Sequence, residues 1–88
     1  MSGPTSERVE GVRLFWDFFG PAAAQTAAHF HHHLVERLVR DGYDGCEARH
    51  GAVSELHAAV SCDTPQVHVE RLRSLLRPRR HEPMSFEA

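Results

Sequence analysis

In the segment Val12-Arg13-Leu14-Phe15-Trp16-Asp17-Phe18-Phe19, apolar residues recur at every second position, a period that predicts a β-strand. One face would carry Val12, Leu14, Trp16 and Phe18. The other would carry Arg13, Phe15, Asp17 and Phe19, so neither face is wholly polar. Gly20-Pro21 ends the run and opens a helix, with proline at or near its first position. From Pro21 to about Arg40 the alanine-rich sequence favours a helix, which Asp41-Gly42 stops. At about 100° per residue, Ala23, Ala24, Ala27, Phe30, Leu34, Val35 and Leu38 share a broad apolar face. His29, His32, His33, Glu36, Arg37 and Arg40 fall opposite, and His31 sits near the middle of the apolar side.

Two short strands are expected next, Cys46 to His50 and Ser54 to Cys62, joined near Gly51-Ala52. Cys46, Ala48, Leu56, Ala58, Val60 and Cys62 would point inward, and Glu47, Arg49, Glu55 and His57 outward. Asp63-Thr64-Pro65 signals a second helix, a polar cap followed by proline. It would run to about Arg77, burying Val69, Leu72, Leu75 and Leu76, until Pro78 ends it. Residues 1–10, rich in Ser, Gly, Pro and charge, read as a flexible arm, and 11–78 as a single domain. The tail 79–88 could add a short edge strand around Met84 to Phe86.

The order β-α-β-β-α, with an optional last strand, predicts an α+β fold in which both helices cover one face of a small antiparallel sheet. This order resembles the ferredoxin-like plait of metal chaperones and small-molecule regulatory domains, across most of the chain and without any motif. The paired-cysteine loop of the heavy-metal-associated domains is absent, because the first strand leads into Gly20-Pro21. Fold analogy alone transfers no function.

Composition narrows the setting. With 88 residues, 41% of them hydrophobic and 25% charged, the chain is one small soluble domain. All ten basic residues are arginine, which we read as the mark of a GC-rich, bacterial genome. The net charge of −2 gives no general attraction for nucleic acid or anionic membranes. There is no apolar leader and no run approaching a membrane span, so a cytoplasmic protein is expected. Protonating all eight histidines would add eight charges, moving −2 to +6, near the ordinary imidazole pKa of about 6.5. Cys46 and Cys62 lack the spacing of a zinc knuckle or dithiol pair.

Four constellations could carry chemistry. His29 and His33 stand one helical turn apart, as do His32 and Glu36, so these four could grip Zn, Ni or Cu. A further ligand could come from His50, His81 or a second subunit. A solvated polar face is the commoner use of such residues, and the H-E-x-x-H pattern is broken by Phe30. His31 and His68 occupy the apolar faces of the two helices and could meet in the core, although core histidines satisfied by backbone are the usual arrangement. On the open sheet face, with the first strand central, Asp17 near His57 could form an acid/base pair. Phe15 and Phe19 on that face favour instead a homodimer interface. Arg71, Arg73, Arg77, Arg79 and Arg80 crowd the second helix and its exit, but no aromatic residues interleave them, which argues against nucleic acid. The expectation is a self-associating ligand-binding or regulatory module. A small enzyme using Asp17 and His57, or a protein-binding domain with no small ligand, is the alternative.

Overall fold

β1 (Arg8–Phe19) is the central strand, hydrogen-bonded along both edges. The computed structural model describes residues 8–87. After β1 the chain forms α1 (Ala23–Arg40), β2 (Glu47–Ser54), β3 (His57–Pro65), α2 (Gln66–Leu76) and β4 (Arg80–Glu87). The fold is α+β: two helices and a four-stranded sheet in the order β2-β3-β1-β4, with every neighbouring pair antiparallel.

Period-two alternation in β1 separates two environments. Leu14 and Trp16 are buried and join Ala58, Val60 and Cys62 of β3 in one core. Ala23, Ala27, Leu34 and Leu38 of α1 and Leu72 of α2 close the same cluster, so both helices cover one sheet face. The indole N–H of Trp16 donates to the Leu76 carbonyl at 2.9 Å, tying the end of α2 to the central strand. His31 and His68 lie apart. His31 donates from Nε2 to the Ala48 carbonyl at 3.2 Å, and His68 to the Asp44 carbonyl at 3.1 Å. Each ring takes the local backbone partner that a half-buried imidazole needs. The ring beside His31 is His50, at 4.6 Å between centroids.

The structure corrects several boundaries. β1 begins at Arg8, inside the expected arm, because Arg8 and Val9 pair with Glu87 and Phe86 of β4; residues 1–7 lie outside the described residues. The tail forms an eight-residue strand instead of a three-residue one. Its Pro83 cannot donate a ladder hydrogen bond, and it is tolerated because β4 is an edge strand. The β2–β3 turn falls at Glu55-Leu56, not at Gly51-Ala52, since Gly51 pairs with Ala59 inside the ladder. Leu56 is therefore exposed instead of inward. Asp63 is a strand residue and caps nothing; Pro65 precedes α2 with no side-chain cap. Val35 and Leu75, expected inside, are exposed at the margins of their helices.

Gly11 faces β3 closely, and a Cβ built there would run into the Thr64 carbonyl oxygen. Gly51, in β2, has nothing within 4 Å of its Cβ direction. Gly11→Ala should therefore cost about 1–3 kcal/mol by forcing the strands apart, whereas Gly51→Ala should be neutral or slightly stabilising. Urea unfolding of both variants checks this; equal midpoints would refute the close approach.

Candidate functional site

The sheet face opposite the helices carries two buried carboxylates, each clamped by arginine. Asp17, whose side chain is only 4% exposed, accepts from His57 Nε2 at 2.8 Å and from Arg80 Nε and Nη2 at 3.0 Å each. The Arg80 guanidinium lies 4.1 Å above the Phe15 ring, and the His57 ring stacks on Phe19 at 4.5 Å. Along the sheet, Asp63 accepts from Arg13 Nε at 2.6 Å and from Arg49 Nη1 at 3.2 Å. Arg49 also reaches Glu47. Between the clusters the small residues Gly51, Ala59 and Ser61 leave a shallow depression of about 180 Å³, walled by Phe15 and Arg49.

Registry explains the pairing. Phe19 lies opposite His57, Arg13 opposite Asp63 and Phe15 opposite Arg80, all on outward positions of three adjacent strands. The Arg80 guanidinium, more than the His57 imidazole, holds the Asp17 carboxyl below its usual range against the opposing effect of burial. For Asp63, burial pushes upward, but the bonds to Arg13 and Arg49 overcome it and leave that carboxyl lowered too. The same bonds raise Arg13 and Arg80. Asp17 and His57 are thus within hydrogen-bond reach, as an acid/base pair requires. With Arg80 on both oxygens, however, Asp17 is a weak base and acts as the group that orients the His57 ring. The cysteines sit on the helix side of the sheet, Cys62 buried in the core and Cys46 packed against it. A hydrogen bond shared with Cys62, together with burial, pushes the Cys46 thiol up, away from nucleophilic thiolate.

Sequence reasoning found Phe15, Asp17, Phe19 and His57 on this face but missed Asp63 and Arg80. Locally, Asp63 reads as a helix cap and Arg80 as one more member of the arginine cluster at the exit of α2. The available signal was parity: Asp63 continues the outward set of His57, Ala59 and Ser61.

On the exposed side of α1, all four expected metal-site residues are neighbours. His33 Nε2 lies 3.1 Å from His29 Nε2, His33 Nδ1 lies 3.3 Å from Glu36 Oε1, and His32 Nε2 lies 3.4 Å from Glu36 Oε2. Glu36 stands behind His32 and His33, so the two ring nitrogens that converge are those of His29 and His33. Among the described residues, no group of three or more His, Cys, Asp or Glu side chains is arranged to hold a metal ion. No helix among them is long and apolar enough to cross a membrane.

Comparison of the chain with protein-family models, curated proteins and solved structures gives no match.

A carboxyl lowered by folding adds stability that is present above the ordinary aspartate pKa of about 3.9 and is lost as pH falls through the folded value. Asp17→Asn should cost about 1–2 kcal/mol at pH 7, a modest figure because the Arg80 side of the pair is half exposed. The gap from the parent should close below about pH 4. Urea midpoints measured across that range test it, and a gap independent of pH would exclude the ion cluster as its source.

Proposed function

We propose that this protein is a small self-associating binding module whose open sheet face meets that of a second copy. The observation that carries the reading is Phe19, 66% exposed at one end of a sheet face that no described element covers, with Val53 at 60% and Leu56 at 57% at the same end. Leu56 is held there by a hydrogen bond from Gly20 N–H to its carbonyl at 2.9 Å. The charges on the face support the same reading. Asp17 is already balanced by Arg80, and Asp63 by Arg13 and Arg49, so neither buried carboxylate would be stranded if the face lost water. A surface built for nucleic acid would leave its guanidiniums free instead. The strand order, β4-β1-β3-β2 from the opposite edge, supports placing the fold with the ferredoxin-like plaits. Sedimentation equilibrium at about 50 µM should give a dimer, a concentration suited to weak assemblies. Phe19→Ser should shift it toward monomer, and a parent protein that is monomeric there would defeat the proposal.

A second reading, binding of Zn, Ni or Cu on α1, is favoured by the meeting of His29 Nε2 and His33 Nε2. Glu36 beside His33 Nδ1 can take that nitrogen's proton in a hydrogen bond, which turns the Nε2 lone pair toward the ion. With only two imidazoles in place, water or a second copy would complete the coordination. Titrating each metal into tag-free protein should release heat that His29→Ala and His33→Ala both abolish. No heat, or equal heat in the variants, would rule it out.

A further inference from the structure

We infer that the cleft beside the last residues of β1 binds a small planar molecule bearing a carboxylate or phosphate. The cleft, open to solvent, offers about 550 Å³ and is lined by Trp16, Asp17, Phe18, Phe30, Arg77 and Arg79. That volume lies within the range of small-molecule sites.

Its walls are of two kinds. Phe30 of α1 reaches over to Trp16 and Phe18, with centroids 5.1 and 5.5 Å apart and tilted planes, giving a corner of aromatic surface. Two arginines, Arg77 and Arg79, complete the lining. Arg13, Arg37, Arg40, Arg49 and Arg80 each hold a carboxylate. Among the described residues, Arg77 and Arg79 make no ion pair or side-chain hydrogen bond. Their charge is therefore available to an oxyanion, and guanidinium forks suit carboxylate and phosphate geometry. Asp17, the one acid in the lining, is already balanced by Arg80 and His57 and offers little repulsion.

Backbone geometry sets the arginines there. Arg77 follows α2 with φ at +51°, a left-handed conformation that is unusual for a non-glycine residue and more so directly before a proline, here Pro78. The chain then turns back, and Arg79 N–H donates to the Phe15 carbonyl at 2.7 Å. β4 pairs with β1 only as far as Phe15. Among the described residues, no strand covers that edge of β1 from Trp16 to Phe19, so its backbone groups border the cleft.

Trp16 is the sole tryptophan, so its indole N–H gives one assignable nitrogen–proton signal at the site. Titrations with 2-naphthoate and 2-naphthyl phosphate should shift that signal and saturate, the tighter probe naming the oxyanion. Neutral 2-naphthamide should bind about ten-fold more weakly, the equivalent of one charge-assisted hydrogen bond. Inorganic phosphate, lacking the ring, should compete at least about ten-fold more weakly than the naphthyl probes. Arg79→Ala should weaken the anionic probes and leave naphthamide unchanged. Arg77→Gly should do the same while raising the melting temperature, because glycine accepts the left-handed position without strain. The inference is overturned if neither anionic probe saturates, if naphthamide binds equally, if phosphate alone competes equally, or if both variants bind as the parent does.

Discussion

β1 holds a hydrogen-bonded neighbour on each side, and the parity of its residues decides where almost every other side chain goes. Even positions, Leu14 and Trp16, meet both helices. Odd positions, Arg13, Asp17 and Phe19, face away from them and find partners on β3 and β4. A slip of one residue would exchange these sets and bury Arg13 and Asp17 under the helices. The register is therefore fixed from both faces: by apolar packing on one, and by two carboxylate–guanidinium clusters on the other. Trp16 extends this control to α2 through its bond to Leu76.

An uncovered sheet face usually carries solvated, independent side chains. Here the outward residues instead form cross-strand sets in which the Phe15 ring lies under a guanidinium, Phe19 stacks on His57, and two carboxylates are nearly excluded from water. Arg80 stacks on Phe15 while gripping Asp17, so one side chain screens a ring and neutralises an acid. The resulting surface is close to electrically balanced at each cluster. That differs from the exit of α2, where Arg77 and Arg79 line a cleft with aromatic rings and, among the described residues, hold no carboxylate.

Long periodic elements were legible from the residues alone. The phase of α1 set Leu34 and Leu38 inside and the His29–His33 row outside, and the alternation of β1 placed Phe15, Asp17 and Phe19 together. What escaped reading depended on long-range pairing. Gly51-Ala52 has the local chemistry of a turn, but pairing with Ala59 and Ala58 keeps both in the ladder and moves the reversal to Glu55-Leu56. Asp63-Thr64-Pro65 has the local chemistry of a cap, but Arg13, fifty residues earlier, claims the Asp63 carboxylate. Arg80 looked like one more cation near a helix end until β4 carried it opposite Phe15. In each case a tertiary partner outweighed a local preference.

Pro83 near the middle of β4 also bears on what the molecule avoids. β4 forms an outer border of the sheet, and open borders invite further chains to stack into fibrils. A proline there interrupts the row of donors such growth would require, while leaving the rings of the sheet face untouched. Lateral addition of further strands along that border is thereby disfavoured.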